Sequence, residues 1–463
     1  MRFDLVVKGG TILSPKGKVR ADVGVRGEKV AALAPRLDER GARTVDAKGC
    51  FVLPGGVDAH THFDLPYRGT TTADDFATGT LAAAMGGTTT VLDFATQERG
   101  GSMLDALDEW HGKANGKSFT DYGFHMAVTD LPETRLRELD EVAAEGCPSF
   151  KFYMAYPGVL MLEDRHIFRG MLRLRSLGAL AMVHAENGGL VAELVARARA
   201  EGKTAPRWHA RTRPMAAEAE AAHRAIALAE AADCPLYVVH VTCGASMEEI
   251  RRARERGAKV YGETCPQYLY LDDRLYGRPG FEGAKFVMSP PLRPQGERRR
   301  LWEALRRGWL QTVATDHCSF NYGTGRGASK RLGLRDFSLI PNGAPGVEAR
   351  LLLMWDAVAG GTLSAGRFVE LVSEAPARLH GLYPRKGCLK PGSDADIVVL
   401  DPRRRHRFRA KTHFANVDYE PYEGRAVRGS VRDVFLRGRP LVEGFKPAGA
   451  PPSGVFLKRK AVH

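Results

Sequence analysis

The sequence predicts an α/β protein in which a (β/α)₈ barrel, similar to a TIM barrel, is joined to a β-sandwich built from both chain ends. Eight short runs rich in β-branched and aromatic residues alternate with Ala-, Glu- and Arg-rich stretches of helical periodicity, which indicates a parallel sheet. Eight such units over ~330 residues fit a barrel with insertions. A doubly wound open sheet is the less favoured alternative, because the sequence contains neither a GxGxxG motif nor a P-loop.

Each barrel element is located by its composition. Helical periodicity is clear in 216–232 and 245–256, where apolar residues recur every three or four positions. The runs predicted to form the eight barrel strands are 51–57, 89–94, 122–128, 149–153, 180–184, 236–240, 258–262 and 312–315.

The two chain ends share a different pattern, in which short apolar runs are separated by turns that contain Gly. Residues 5–8 (LVVK) precede two glycines, and residues 395–401 (ADIVVLD) form a β-branched run. Neither end is long enough to fold alone. We therefore expect one β-sandwich domain made of residues 1–54 and 385–463, and a barrel domain at residues 55–384.

Composition argues against several functional classes. The net charge is +14, but the basic residues alternate with acidic ones and lack interleaved aromatic residues, so we expect no nucleic-acid partner. No run approaches the ~18 apolar residues of a membrane span, so we expect no membrane association. The seven cysteines are odd in number and form no CxxC pair, which fits reduced thiols in a cytoplasmic enzyme.

Metal-capable side chains lie at or near the ends of the predicted strands. Strand carboxyl ends meet at one mouth of a barrel, so we expect these residues to converge although they are far apart in the chain. His60 and His62 are two positions apart, which on an extended strand directs both imidazoles to one face. Imidazole and carboxylate ligands suit zinc, and also manganese or iron. The predicted ligands are His60, His62, Lys151, His184, His240 and Asp316.

The combination of these residues carries the prediction, because each one alone is weak evidence. An isolated strand-end histidine is usually an ordinary polar residue, a lone lysine can lie along the surface, and a lone aspartate can cap a helix. The full pattern is lacking in four other histidines, namely His125, His209, His223 and His317.

Lys151 lies in an apolar run, and this placement affects its chemistry. A protonated amine cannot bind a metal, but desolvation and neighbouring cations lower the pKa of a buried lysine. The neutral amine can add carbon dioxide to form a carbamate, an anionic ligand whose two oxygens can bridge two metals. We therefore predict that Lys151 is N6-carboxylated.

The motifs around these residues resemble those of the hydantoinase/dihydropyrimidinase family of the amidohydrolase superfamily, to which D-hydantoinases belong. They occur in the family order, and the resemblance extends over essentially the whole chain. The motifs are 55–62 (GGVDAHTH), 150–156 (FKFYMAY), 183–187 (VHAEN), 239–242 (VHVT), 262–268 (GETCPQY), 289–293 (SPPLR), 316–318 (DHC), 340–343 (IPNG) and 391–396 (PGSDAD).

The resemblance implies a site with two divalent ions, zinc or alternatively manganese. One ion would be held by His60, His62 and Asp316, and the other by His184 and His240. Carboxylated Lys151 and a hydroxide would bridge the two ions. The implied reaction opens the ring amide of a hydantoin or dihydropyrimidine and yields an N-carbamoyl amino acid.

Roles in this reaction are also implied by the resemblance. Asp316 would act as the general base and acid, and Tyr156 would donate a hydrogen bond to the substrate carbonyl oxygen. Backbone groups of Ser289 and Asn342 would hold the ring amide. Without the resemblance, we would interpret Tyr156 as a core aromatic residue and the other two as turn residues.

The substrate is a small cyclic ureide or imide, and the sequence narrows its class. No arginine follows His62, which disfavours a dihydroorotase because those enzymes use such an arginine to bind a carboxylate. The apolar residues Leu65 and Phe152, together with Val159 and Leu160, are predicted to shape the pocket for the exocyclic group. Two alternatives stay open, an allantoinase and a non-catalytic dihydropyrimidinase-like scaffolding protein. The resemblance also implies a homo-oligomer, either a tetramer or a dimer.

Overall fold

The computed structural model describes residues 2–67, 69–324 and 327–463. Strands near the amino terminus divide between two sheets. The order β5-β4-β1-β6 forms a four-stranded sheet, whereas β2, β3 and β7 join a second sheet. The bounds are β1 (Leu5–Lys8), β2 (Thr11–Ser14), β3 (Gly17–Arg20), β4 (Asp22–Arg26), β5 (Lys29–Ala34), β6 (Arg43–Asp46) and β7 (Phe51–Pro54).

The central strands form a parallel sheet that curves into a barrel. These strands are buried almost throughout, since helices cover the outside of the barrel and side chains fill its inside. A short hairpin, β9 (Pro66–Tyr67) with β10 (Thr70–Thr71), interrupts the alternation. The barrel strands are β8 (Gly56–Thr61), β11 (Thr88–Thr96), β12 (Asp121–Val128), β13 (Ser149–Tyr153), β14 (Leu180–His184), β15 (Leu236–Val238), β16 (Val260–Thr264) and β17 (Thr312–Val313).

The barrel is completed by contacts between its first and last strands. The backbone N–H of His62 donates to the carbonyl oxygen of His317 at 2.8 Å. The hydroxyl of Thr315 donates to the carboxylate of Asp58 at 2.7 Å. These bonds bring the chain after β17 beside β8, so residues that follow the two strands lie at the same end of the barrel.

Helices connect the strands, and local sequence signals mark several of their ends. Asp75 and Thr78 form a reciprocal capping box at the start of α1, and α10 ends at Gly308, whose φ of 75° suits glycine. The helices are α1 (Phe76–Met85), α2 (Met103–Ala114), α3 (Glu138–Ala144), α4 (Asp164–Ser176), α5 (Gly188–Ala200), α6 (Arg207–Arg211), α7 (Met215–Ala232), α8 (Gly244–Glu255), α9 (Pro266–Tyr270), α10 (Gln295–Arg307), α11 (Arg350–Ala359), α12 (Ala365–Val369) and α13 (Ala375–Leu379).

The carboxyl-terminal strands extend the second sheet to seven strands in the order β21-β20-β19-β18-β7-β2-β3. Within it, β7 pairs antiparallel with β18 and parallel with β2, so both chain ends contribute to one sheet. The fold class predicted from the sequence is confirmed, whereas the domain boundaries stay a prediction. The bounds are β18 (Ile397–Arg407), β19 (Ala426–Leu436), β20 (Arg439–Glu443) and β21 (Lys446–Pro447).

One strand prediction is wrong in detail. The run 51–57 was expected to be a single barrel strand, but it divides between two sheets. Residues Phe51–Pro54 pair with β18 and β2, and the barrel strand begins only at Gly56. Gly55 lies between them, where an added Cβ would lie 1.9 Å from the Thr89 hydroxyl, so the chain passes from one sheet to the other at a residue without a side chain.

Two further features bear on the sequence predictions. All seven cysteines are buried and free. Among the described residues, no helix combines the length and the apolar character that a membrane crossing requires.

Candidate metal centre and active site

The strand ends place the six predicted ligands together at one mouth of the barrel. His60 lies within β8, Lys151 within β13, and His184 is the last residue of β14. His240 follows β15 by two residues and Asp316 follows β17 by three. Residues separated by up to 256 positions, from 60 to 316, therefore meet because parallel strands end on the same side of the barrel.

His60, His62 and Asp316 form the first group of ligand atoms. The two Nε2 atoms lie 3.3 Å apart, and one carboxylate oxygen of Asp316 lies 3.1 Å and 3.2 Å from them. This group is the one cluster of three His, Cys, Asp or Glu side chains in the described part of the chain whose ligand atoms all lie within 4.8 Å of one another. A carboxylate and two imidazole nitrogens directed at one point form a donor set that suits a divalent cation.

Lys151, His184 and His240 continue this group on the other side of the cavity. The Nζ atom of Lys151 lies 3.0 Å from His60 Nε2, and Nδ1 of His184 lies 2.9 Å from Nε2 of His240. Lys151 thus lies beside the first group, while the two histidines form a second nitrogen pair. The arrangement fits two adjacent cations with the lysine between them.

Two buried carboxylates orient the histidines, and the sequence analysis gave neither of them a role. Glu263 lies 2.8 Å from Nδ1 of His60, and Glu186 lies 2.9 Å from Nε2 of His184. A carboxylate on one ring nitrogen favours a proton there and leaves the other nitrogen free to bind a metal. The available signal was motif membership, because Glu263 lies in 262–268 and Glu186 in 183–187.

Burial sets the protonation of the site. Desolvation lowers the pKa of Lys151 to about 8, although Asp316 and Glu263 act in the opposite direction by favouring the ammonium. Part of the amine is therefore unprotonated near neutral pH. Desolvation likewise lowers the pKa of His62 to about 4, which keeps the imidazole neutral. Burial opposes ionisation of Asp316, but the nearby histidines outweigh it and hold the pKa of its carboxyl well below the usual range.

Three residues of the site adopt left-handed backbone conformations, although none is glycine. The φ values are 67° for Tyr156, 40° for His240 and 52° for Asp316. Such conformations cost of order 1–3 kcal/mol each and concentrate at functional sites. All three residues lie two or three positions after the end of a barrel strand. There the left-handed conformation turns the chain, and each side chain lies at the cavity.

A cavity of about 70 Å³ lies at this cluster. Its wall combines five of the predicted ligands with five of the seven residues predicted to bind the substrate or shape its pocket, whereas His60 is buried beneath it. Burial raises the pKa of the Tyr156 hydroxyl, which therefore stays protonated and able to donate a hydrogen bond. The predicted residues that line the cavity are His62, Leu65, Lys151, Tyr156, Leu160, His184, His240, Ser289, Asp316 and Asn342.

Val159, which is exposed, lines an adjoining cavity instead. Phe152 also lies outside the cavity, and its predicted place in the substrate pocket is wrong. Its side chain belongs to the main hydrophobic core, and its ring packs against Gly170 of α4, where an added Cβ would lie 2.8 Å from the ring. Successive strand residues face opposite sides, so Lys151 and Tyr153 point to the cavity while Phe152 points to the helices.

The four histidines that lack the full ligand pattern serve other contacts. His125 lies in the barrel interior beside Ser149 at 2.6 Å, and His209 lies 2.8 Å from the carbonyl oxygen of Met288. The other two are paired with carboxylates, His317 with buried Asp74 and exposed His223 with Glu249.

Comparison with known proteins agrees with this geometry. The sequence model of the amidohydrolase family matches residues 51–441. The D-hydantoinase of Streptomyces coelicolor is 48% identical over 459 residues, which is 98% of this chain and 97% of that protein. The D-hydantoinase of Geobacillus stearothermophilus is 44% identical, with 98% and 96% covered. The crystal structure of dihydropyrimidinase from Brevibacillus agri superposes with a TM-score of 0.97 at 46% identity, covering 99% of both chains.

The chain belongs to the amidohydrolase family, whose members generally depend on two metal ions. Its full-length similarity is to the hydantoinase and dihydropyrimidinase group, and it is accordingly an enzyme that hydrolyses cyclic amide C–N bonds.

Proposed function

We propose that this enzyme hydrolyses the ring amide of hydantoins or dihydropyrimidines to N-carbamoyl amino acids. The observation that supports the proposal most directly is the convergence of six ligand-type side chains beside Tyr156, in a cavity whose wall also contains Ser289 and Asn342. Full-length similarity to proteins named D-hydantoinase and dihydropyrimidinase supports the same substrate class.

The residues present fit two divalent ions, for which zinc is proposed and manganese is the alternative. His60, His62 and Asp316 would hold one ion, and His184 and His240 the other. Lys151, proposed to be N6-carboxylated, would contribute to both. When bound, such ions supply a hydroxide at neutral pH and polarise the substrate carbonyl.

The chain's own groups then direct the bond changes. Asp316 accepts the proton of the attacking hydroxide as the new C–O bond forms at the ring carbonyl carbon. Tyr156 donates a hydrogen bond to the oxygen that becomes negative. Asp316 returns the proton to the ring nitrogen as the C–N bond breaks, and the product carries a free carboxylate and a ureido group.

Ser289 and Asn342 bind the substrate through the ring amide. Their backbone groups can pair with the N–H and C=O of a cyclic ureide or imide, which fixes the carbonyl carbon in front of Asp316. Apolar Leu65 and Leu160 contribute to the same wall and favour substrates with an apolar exocyclic group. Each buried methylene contributes roughly 0.8 kcal/mol.

We further propose a homo-oligomer, a tetramer or a dimer, that acts in the cytoplasm. Seven buried free thiols fit a reducing compartment. The oligomeric state rests on the family resemblance.

The test combines metal analysis with a substrate panel. Protein purified without chelator is expected to contain about two divalent ions per chain and to hydrolyse dihydrouracil and 5-substituted hydantoins faster than allantoin or dihydroorotate. If allantoin is hydrolysed fastest, the proposed reaction type stands but the assigned substrate changes. Fastest hydrolysis of dihydroorotate, or hydrolysis of any of these substrates by metal-free protein, would contradict the proposal.

A further inference from the structure

A buried lysine outside the metal cluster has no part in the chemistry above. Lys330 has 0% exposure, and no described carboxylate acts on it. Its Nζ donates to three backbone carbonyl oxygens, those of Val287 at 2.8 Å, Pro341 at 2.8 Å and Gly343 at 2.7 Å. An ammonium has three N–H groups, so these three acceptors satisfy it completely. Burial lowers the pKa of Lys330 to about 7, but the three carbonyl acceptors favour the ammonium, because only the charged form can donate to all three.

The three carbonyls belong to the two segments that carry the proposed substrate-binding backbone. Pro341 and Gly343 flank Asn342, and Val287 precedes Ser289 by two residues. The N–H of Gly343 also donates to the carbonyl oxygen of Val287 at 3.0 Å, so the segments are bonded to each other as well as to the ammonium. The lysine thus joins both sides of the amide-binding wall at one point.

These bonds determine where the backbone groups of Asn342 point. In a trans peptide, C=O and N–H face opposite directions. The carbonyl of Pro341 faces Lys330, so the N–H of Asn342 faces away from it. The N–H of Gly343 faces Val287, so the carbonyl of Asn342 also faces away from that contact.

Asn342 is left with unused backbone groups at the cavity. It lines the cavity, and no hydrogen bond recorded within the described ranges uses its backbone N–H or C=O. One donor and one acceptor on adjacent peptide groups complement the acceptor and donor of a ring amide.

We infer that Lys330 is a positioning residue for substrate: its ammonium holds the peptide groups around Asn342 in the orientation that binds the ring amide. This inference rests on the proposed function. Lys330 touches neither the metal ligands nor the substrate, so its removal affects ring-amide binding before it affects metal binding. A displacement of about 1 Å at a binding group costs up to roughly 100-fold in rate.

The test compares Lys330→Met with Lys386→Met, a matched change at another fully buried lysine. Lys386 contacts Asp121 and Asp396 at 2.6 Å and 2.8 Å, away from the cavity. Metal content, circular dichroism, KM and kcat are measured for both variants and the wild type, with dihydrouracil and a 5-substituted hydantoin. We expect Lys330→Met to keep two metals and to raise KM roughly 10- to 100-fold with a smaller change in kcat. Folded Lys386→Met is expected to keep the wild-type KM.

Several results would overturn the inference. A folded Lys330→Met protein with wild-type KM would do so, as would parallel loss of metals and activity, since the lysine would then support only the fold. If the Met variant is insoluble, Lys330→Arg is used instead; a planar guanidinium cannot direct three N–H groups from one nitrogen, so its KM is also expected to rise, and a wild-type KM would count against the inference. A wild-type enzyme inactive on every ureide would instead contradict the proposed function.

Discussion

The Nζ atom of Lys151 lies 3.0 Å from Nε2 of His60, in a site where both side chains are buried. A cation bound at this imidazole nitrogen would repel an ammonium so close to it, so metal binding favours a neutral or carboxylated lysine. Burial lowers the pKa of Lys151 to about 8, in the direction that carboxylation requires.

Lys151→Ala is therefore expected to lose both metals and nearly all activity. Short carboxylic acids added to the variant are expected to restore part of the activity by replacing the missing bridge. Elemental analysis and turnover measure the two effects. The control is Lys203→Ala, at a partly exposed lysine paired with Glu201, which is expected to match the wild type. Full metal content and activity in Lys151→Ala would refute the role of Lys151.

Tyr156→Phe separates stabilisation of the oxyanion from metal binding. The variant keeps the aromatic ring but lacks the hydroxyl donor, so it is expected to retain two metals and to lower kcat by roughly 10²–10³-fold. If the hydroxyl only packs in the core, turnover stays near the wild-type value, and the metal assignment is unaffected.

Asp316→Asn tests proton transfer. The amide has the size of the carboxylate but cannot accept the proton, so the variant is expected to be nearly inactive and to bind one metal more weakly. Turnover and metal content are compared with those of Tyr156→Phe. An Asp316→Asn enzyme with substantial turnover would remove this residue from the proposed chemistry.

Glu263→Gln tests the carboxylate behind His60. The amide keeps the size of the side chain but holds the imidazole less strongly in the metal-binding tautomer, so metal affinity or activity is expected to fall roughly 10–100-fold. The matched control is Glu249→Gln, because Glu249 contacts exposed His223 at the same 2.8 Å but far from the cluster. Equal metal affinity in the two variants would show that Glu263 does not tune the site.

Asp394 makes the stability of the fold vary with pH in the acidic range. Burial opposes its ionisation, but Lys386 at 2.9 Å and Lys29 outweigh this and lower the pKa of Asp394 to about 2. A carboxyl whose pKa is lower in the folded than in the unfolded protein stabilises the fold at pH values above its unfolded pKa, which is about 4. This contribution disappears as the pH falls towards the folded pKa of about 2. The shift corresponds to about 2 kcal/mol.

Asp394→Asn is accordingly expected to lower the free energy of unfolding at pH 7 by about 2 kcal/mol. Its difference from the wild type should shrink between pH 4 and pH 2. Urea unfolding at several pH values measures this difference. Asp38→Asn removes an exposed carboxyl paired with Arg40 and is expected to have little effect, because water and salt screen that pair. A difference independent of pH would contradict the assignment to Asp394.

The positions of the barrel strands were largely predictable because they depend on local sequence. The runs 149–153 and 180–184 coincide with β13 and β14. The first strand was misplaced because the apolar run was extended across Pro54-Gly55-Gly56, although the domain boundary predicted between residues 54 and 55 already marks the change of sheet. Phe152 could have been excluded from the pocket by strict strand alternation with Lys151.

The sequence by itself determined the fold class and the residue types at the strand ends, because hydrophobic periodicity and side-chain chemistry are local properties. The tertiary structure decided which partners those residues meet. Glu263 reaches His60 across 203 positions, and Lys330 reaches Val287 across 43. Such contacts depend on the register and closure of the barrel, which arise only when all eight strands pair, so spacing along the chain does not reveal them.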